Sequence, residues 1–286
     1  MAAVTTRRPT SAVGTHEFGW GFWLMCLATL FFLVPAFWVV LTALKTEGEY
    51  SAYPIVLWPA TPQWENFYRA VTIVPYARYA RNSVVLAGTT TLLNTITSAM
   101  GGFAFARHTV RGRNALFILV LSLMMLPPMV TLVPQFILFS RLNMVGTYWP
   151  WILGGIAGSP FHIFMFRQYF ASIPRDLEDA AEVDGCNRFR IFWQIFLPMS
   201  GPVIATSAIL NFQGIWGEWL RPILYLKDSN TTLAVRMASS YKDPAGNQLI
   251  TPLMAGICIY ALPLILVFFV AQRHIIQGVV TSGLKG

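Results

Sequence analysis

The sequence predicts an all-α, polytopic membrane protein with six transmembrane helices, and three observations support this prediction. Of its 286 residues, 55% are hydrophobic and only 11% are charged, whereas a soluble domain carries about a quarter charged residues. The mean hydropathy is positive, at +0.55. Apolar segments also recur along the chain, each as long as the ~20 residues that a helix needs to cross a bilayer. A single membrane domain over residues 18–272 is the simplest architecture.

Six segments are expected to cross the membrane. Their approximate bounds are 18–44, 82–106, 114–140, 149–171, 199–226 and 251–272. The first is too long for the apolar part of a signal peptide, and no small-residue cleavage site follows it. We therefore expect it to remain in the protein as an anchor.

The charges of the short loops predict that both termini are cytoplasmic. The loop between the second and third segments holds Arg107, Arg111 and Arg113 with no acid, and the loop after the third holds only Arg141. Lys and Arg accumulate in cytoplasmic loops, and an even number of spans leaves both ends on one side. Residues 1–17 and 273–286 are thus expected to be cytoplasmic, although the outer segment 45–81 also carries four basic residues.

Composition and motifs indicate neither a nucleic-acid-binding protein nor an enzyme. The net charge of +8 comes from basic residues scattered between apolar runs, without the basic stripe of a nucleic-acid module. Three dispersed cysteines give no disulfide framework or metal spacing, and the four histidines form no catalytic or metal motif. His162, inside the fourth segment, is predicted to be a neutral imidazole hydrogen-bonded within the bundle. Gly278 and Gly283 have P-loop spacing, but Leu284 follows where a lysine is required.

An internal loop at 173–197 is predicted to form a helix, a glycine turn and a second helix. It holds five of the twelve acidic residues of the chain. Pro174 favours a helix start, and acids after it suit the positive end of the helix dipole. Gly185 is well placed to end this helix. Asn187 is suited to cap the second helix, which is expected to expose Phe189, Phe192 and Phe196 on one side.

The first helix of this loop is predicted to present one small, weakly apolar face. Leu177, Ala180, Ala181 and Asp184 follow the i, i+3, i+4, i+7 spacing of such a face. Glu178 and Glu182 are expected to be exposed flanking charges. Two interpretations stay open: a face that docks in a groove of a partner, and a solvated amphipathic loop.

This loop resembles the EAA loop of ABC-importer permeases, which carries acidic-Ala-Ala and Asp-Gly elements. Here Asp179 stands where the family has Glu, and it is followed by Ala180, Ala181, Asp184, Gly185, Ile195, Leu197 and Pro198. Further stretches resemble the carbohydrate-uptake branch of this family. They are residues 64–67, 82–83, 102–107, 142–147, 218–220 with Pro222, 261–263 and 283–286. The similarity runs from about residue 20 to the C-terminus.

The resemblance implies a six-helix permease in the cell membrane, with a second homologous permease, two ATPase subunits and an external solute-binding protein as partners. ATP and Mg would then be bound by the ATPase subunits, and this chain would carry no cofactor. The coupling residues implied are Glu178, Asp179, Ala180, Ala181, Glu182, Asp184 and Gly185. The tail implied to approach the ATPase is Gly283, Leu284, Lys285 and Gly286, and the implied binding-protein contacts are Asp243, Pro244, Gly246 and Asn247.

The fifth segment holds the residues best suited to a transport pathway: Asn211, Gln213, Trp216, Glu218 and Arg221. Asn211, Glu218 and Arg221 are seven and three residues apart, so that they can share a helical face. A charged pair at this depth should face the bundle interior or an aqueous cavity. A Glu218–Arg221 pair that only clamps helices together is the alternative.

The function that the resemblance implies is import of a sugar or oligosaccharide. Import of glycerol phosphate or another small polar solute is an alternative within transport. A membrane scaffold without a transport pathway is an alternative of another class, and the EAA-like loop argues against it.

Overall fold

The computed structural model describes residues 19–239 and 241–283. The expected cytoplasmic segment 1–17 and the tail residues Leu284, Lys285 and Gly286 lie outside this range. Regular structure within it is helical, apart from one antiparallel bridge between Lys242 and Gln248. The all-α prediction is confirmed.

The helices are defined here in chain order. They are α1 (Trp20–Ala43), α2 (Glu47–Ser51), α3 (Glu65–Thr72), α4 (Tyr76–Arg107), α5 (Arg113–Ser122), α6 (Pro128–Arg141), α7 (Trp149–Ala157), α8 (Pro160–Ala171), α9 (Asp176–Val183), α10 (Arg188–Ile191), α11 (Leu197–Met199), α12 (Gly201–Trp216), α13 (Leu220–Tyr225), α14 (Leu233–Ser239) and α15 (Ile250–Gly283). A 3₁₀ turn, Leu123–Met125, extends α5, and a π-helical turn, Phe192–Phe196, joins α10 to α11.

Length and apolar composition identify fewer spans than the six expected. Among the described residues, Trp20–Ala43 and Ile250–Val270 are long and apolar enough to cross a membrane. Two bent pairs bring the number to four if each pair is one span. They are Arg113–Met125 with Pro128–Arg141, bent by 99°, and Arg188–Met199 with Gly201–Trp216, bent by 81°.

Three expected spans are interrupted, and each interruption has a local cause. In segment 114–140, Pro128 occupies the start of α6, where the missing N–H of proline costs nothing, and the chain turns before it. In segment 149–171, Gly158 has φ of +75° and Pro160 starts α8. In segment 199–226, α12 ends at Trp216 and α13 begins only at Leu220. Apolar composition alone does not reveal these breaks.

The central helix is α4, which packs against α7, α8 and α12. Its 32 residues are long enough to span a bilayer, but it buries many polar side chains and so has low hydropathy. These are Asn82, Ser83, Thr90, Thr91, Asn94, Thr95 and Ser98. Small residues allow its close packing: a Cβ on Gly102 would lie 2.5 Å from Cβ of Phe166.

A buried apolar cluster lies toward each end of α4. The first joins α3, α14 and the start of α15 to residues such as Tyr76 and Tyr79. The second joins the far end of α4 to α8 and to the loop that follows it, through Phe103, Phe166, Phe170 and Phe196. In contrast, α1, α5, α6 and α15 expose large apolar side chains. Such a surface suits lipid or a partner subunit rather than water.

Candidate functional site

The loop after α8 folds as a helix, a glycine turn and a second helix, as its sequence predicts. Gly185 follows α9 with φ of +80°. The N–H of Cys186 donates to the carbonyl of Ala181 (2.9 Å) and that of Gly185 to the carbonyl of Glu182 (3.0 Å), which is the Schellman pattern. The Asn187 side chain accepts from the N–H of Arg190 at 2.8 Å and caps α10.

The predicted common face of α9 is wrong, because Ala180 and Ala181 point to different surroundings. Ala181 is buried in the cluster beneath the loop, whereas Ala180 is exposed. Consecutive helical residues are rotated by about 100°, and this rotation turns Ala181 toward the bundle and Ala180 outward. The exposed surface of α9 includes Leu177, Ala180 and Val183, the last being 89% exposed. Asp176, Asp179 and Asp184 flank it.

The second helix also differs from the prediction. Phe189 is exposed, but Phe192 and Phe196 are buried. Both pack against Phe103 of α4, with ring centroids 5.4 Å and 4.9 Å away. The π-helical turn carries these rings into the bundle, so they hold the loop in place and form no exposed stripe.

Glu178 was expected to be exposed and is instead 5% exposed. Its carboxylate pairs with Arg107 Nη1 at 3.6 Å and with Arg188. Arg188 also pairs with Glu182 through Nη2 and Oε1, 2.8 Å apart. Arg107 lies at the end of α4 and donates to the carbonyls of Phe170 and Ile173, the former at 2.6 Å. The pairing of Glu178 with Arg107 could not be predicted from the sequence, because the two residues are distant in the chain and no local spacing connects them.

A second candidate site is a cleft beside α12 and α13. It measures about 530 Å³ and is lined by Met129, Leu210, Asn211, Gly214, Ile215, Gly217, Glu218, Trp219, Leu220 and Arg221. An adjoining cleft of about 520 Å³ shares Glu218 and Arg221 and reaches Thr131 and Gln135 of α6. Arg221 Nη2 donates to Glu218 Oε2 at 2.8 Å, and Trp151 Nε1 donates to the same oxygen at 3.0 Å.

Three of the five proposed pathway residues line this cleft, by a geometry that the sequence did not predict. Asn211, Glu218 and Arg221 meet although α12 ends at Trp216. The break at Gly217, and not one continuous helical face, brings them together. Trp216 is 1% exposed and stacks on Tyr260 at a centroid distance of 5.4 Å. Gln213 lies on the exposed surface of α12.

The predicted binding-protein contacts lie on an exposed turn between Tyr241 and Leu249. Asn247 donates its N–H to Asp243 Oδ1 (2.8 Å) and its Nδ2 to Oδ2 (3.0 Å). The pKa of Asp243 is held below its ordinary value, mostly by the hydrogen bond from the Asn247 side chain and then by the one from its backbone N–H. Gly246 has φ of +89°, and Pro244 is exposed beside it. The four residues thus form one compact turn.

Two further predictions concern single residues. His162 is buried and its Nδ1 lies 2.9 Å from Asn94 Oδ1, which confirms a hydrogen-bonded imidazole inside the bundle. Gly283 is the last residue of α15, and the rest of the expected ATPase-contacting tail lies beyond the described residues.

The family of the chain follows from comparison with known proteins. Residues 97–281 match the family model described as "Binding-protein-dependent transport system inner membrane component". The chain belongs to this family. It is therefore a permease subunit of an inner-membrane transport system, and the matched range includes both the loop with α9 and the cleft.

Relatives of this permease match over nearly their whole length. The arabinooligosaccharides transport system permease protein AraQ of Halalkalibacterium halodurans is 34% identical, over 85% of this chain and 86% of that protein. The probable ABC transporter permease protein YurM of Bacillus subtilis is 32% identical, over 88% of this chain and 83% of that protein.

The fold of this permease is also found in a solved structure. A chain of a bacterial ABC transporter involved in import of the acidic polysaccharide alginate superposes with a TM-score of 0.76. The match covers 88% of this permease and 94% of that chain, at 19% sequence identity. At this identity the likeness shows a shared fold.

Proposed function

We propose that this permease belongs to an importer driven by separate ATPase subunits, and that it transports a sugar or oligosaccharide. The observation that carries the proposal is α9, a short helix that exposes Leu177, Ala180 and Val183 between acidic residues while its other side is tied to the bundle. A small apolar face ringed by carboxylates suits a groove with basic edges on a partner. The permease has no nucleotide motif, so the partner would supply ATP hydrolysis.

The proposed membrane domain has six spans: α1, α4, α5 with α6, α7 with α8, α12 with α13, and α15. At ~1.5 Å per residue, α4 measures about 48 Å, which exceeds the ~30 Å hydrocarbon core. Its polar residues are tolerable in a membrane because they are buried against α7, α8 and α12. The loop with α9 and both termini would face the cytoplasm, and the turn at Asp243 would face the binding protein.

The cleft at Glu218 and Arg221 is the proposed solute pathway. Amides of Asn211 and Gln135 and the exposed Trp219 ring lie beside the charged pair. Amides and an aromatic ring suit the hydroxyls and the apolar faces of a sugar. A phosphate ester would meet the carboxylate of Glu218, which already neutralises Arg221. This arrangement favours a neutral sugar over glycerol phosphate.

Native mass spectrometry of the tagged permease, purified from its own membranes, tests the assembly. We expect one copy each of this chain and of a different permease together with two copies of an ATPase. A stable homodimer without an ATPase would contradict the proposal. The solute is identified separately, by mass spectrometry of the ligand released from the binding protein that copurifies; a ligand without sugar rings would contradict the solute class alone.

A further inference from the structure

Glu178 occupies an unusual place for an acidic residue in an exposed helix. Of the eight residues of α9, only Glu178 and Ala181 are buried. A buried carboxylate is costly unless cations compensate it. Two arginines do so here, Arg107 from the end of α4 and Arg188 from α10. The side of α9 that faces the bundle is therefore held by one methyl group and one ion-pair cluster.

Arg107 connects more elements than an ordinary ion-pair partner. Its guanidinium donates to the carbonyls of Phe170 and Ile173, at and just after the C-terminus of α8. Cations are favoured at helix C-termini, where carbonyls lack partners. It also lies 4.8 Å from the centroid of the Phe196 ring. One buried side chain thus contacts the end of α8, the π-helical turn and α9, while its own backbone belongs to α4.

We propose that the Arg107–Glu178 pair is the positioning link through which α9 moves as one body with the ends of α4 and α8. The inference rests on the proposed docking of an ATPase on α9. A force applied to the exposed face of α9 reaches the spans through this pair and through Ala181. Without the pair, α9 stays attached only by Ala181 and its flanking turns, and a docked partner displaces it with little movement of α4.

The test uses Glu178→Gln, which keeps the size of the side chain and removes its charge. The complete complex is reconstituted, and three quantities are measured: ATPase retained per permease, solute transported per ATP hydrolysed, and stimulation of hydrolysis by loaded binding protein. The control is Asp228→Asn, which removes the ion pair between Asp228 and Arg236. It should behave as wild type, because the Asp228 side chain is 86% exposed and its charge needs no compensation.

In Glu178→Gln we expect normal ATPase retention, because the docking face is unchanged. Transport per ATP should fall about tenfold, and hydrolysis should lose its response to loaded binding protein. Arg107→Gln should give at least the same defect, because it also removes the hydrogen bonds to the carbonyls of Phe170 and Ile173. The defect of the double variant should be smaller than the product of the two single defects, because the Arg107–Glu178 interaction can be lost only once.

Wild-type transport per ATP in Glu178→Gln would overturn the link. Loss of ATPase together with transport would also overturn it, because the pair would then only maintain the docking surface. If Glu178→Gln does not reach the membrane, Arg107→Lys replaces it: one ammonium cannot serve both carbonyls and the carboxylate, so partial uncoupling is expected. The proposal that the ATPase docks on α9 is tested separately with Ala180→Trp. Unchanged transport and ATPase content in that variant would contradict the docking proposal and not the positioning link.

Discussion

At the scale of single residues, identical side chains in this permease have different environments. Ala180 is exposed and Ala181 is buried, and Glu178 is buried whereas the Glu182 side chain is 42% exposed. The sequence shows the EAA-like pattern but not which member faces inward. That depends on Phe103 and Arg107 of α4, which are distant in the chain and close in space.

Gly185 is a residue whose role follows from its backbone alone. Its φ of +80° is costly for a residue with a side chain, by ~1–2 kcal/mol. Gly185→Val should therefore weaken the turn after α9 and reduce uptake, while insertion in the membrane stays normal. Asparagine tolerates the left-handed region, so Gly185→Asn should retain most of the uptake. Wild-type uptake in Gly185→Val would show that the turn does not matter. Beyond the neighbouring residues, no heavy atom lies within 4 Å of a Cβ placed at this position, so a clash with the rest of the protein would not explain a loss of uptake.

Glu218 should affect the solute pathway and not ATPase docking. Glu218→Gln removes the charge that pairs with Arg221 but keeps an oxygen that can accept from Trp151. We expect uptake to fall about tenfold, since the partly exposed guanidinium of Arg221 then lines the cleft without its carboxylate partner, with ATPase content unchanged. Transport kinetics over a range of solute concentrations check this. Uptake equal to wild type would mean that the Glu218–Arg221 pair is not needed for transport and only holds helices together.

At the scale of elements, the loop between α8 and α12 was predicted well and the spans around it less well. Pro174, Gly185 and Asn187 act locally, so the helix, turn and second helix could be read from the sequence. The burial of Phe192 and Phe196 could not, because it results from a π-helical turn that packs on α4. The breaks at Gly158 and Gly217 lie within apolar segments, where hydropathy gives no signal.

The two alanines of α9 separate docking from folding. Ala180→Trp adds bulk to the exposed face and should release the ATPase while leaving the melting temperature of the solubilised permease unchanged. Ala181→Trp inserts the same ring into a packed cluster and should destabilise the loop by at least ~1–3 kcal/mol. ATPase copurification and thermal unfolding are measured on both variants. Full ATPase binding in Ala180→Trp would mean that this face is not the docking surface.

At the scale of the whole molecule, the all-α class and the family could be predicted from sequence. The six expected spans are not matched in number, because only two to four of them pass as spans on helix length and apolar composition among the described residues. The central helix, α4, contains the expected span 82–106 but is less apolar than α1 and α15, and its polar side chains are buried against other helices. The cleft was predicted in part, since Glu218 and Arg221 pair locally. The hydrogen bond from Trp151 of α7 to Glu218 could not be predicted, because only the fold brings the two residues together.

Topology is testable with two exposed alanines. In a cysteine-free background, Ala180→Cys should resist an impermeant thiol reagent added from outside, and Ala245→Cys, in the turn proposed to face the binding protein, should react. Both positions are exposed in the permease, so a difference in labelling reports the side of the membrane. Labelling of position 180 and not of position 245 would mean the opposite orientation.

Coupling of this permease to ATP hydrolysis through α9 is measured most directly as uptake by proteoliposomes that contain the purified complex, with ATP enclosed and loaded binding protein outside. We expect solute accumulation that requires both ATP and the binding protein. Ala180→Trp should abolish this accumulation, while the permease still inserts normally. Uptake that proceeds without ATP, or that Ala180→Trp leaves at the wild-type rate, would contradict the claim that α9 couples this permease to ATP hydrolysis.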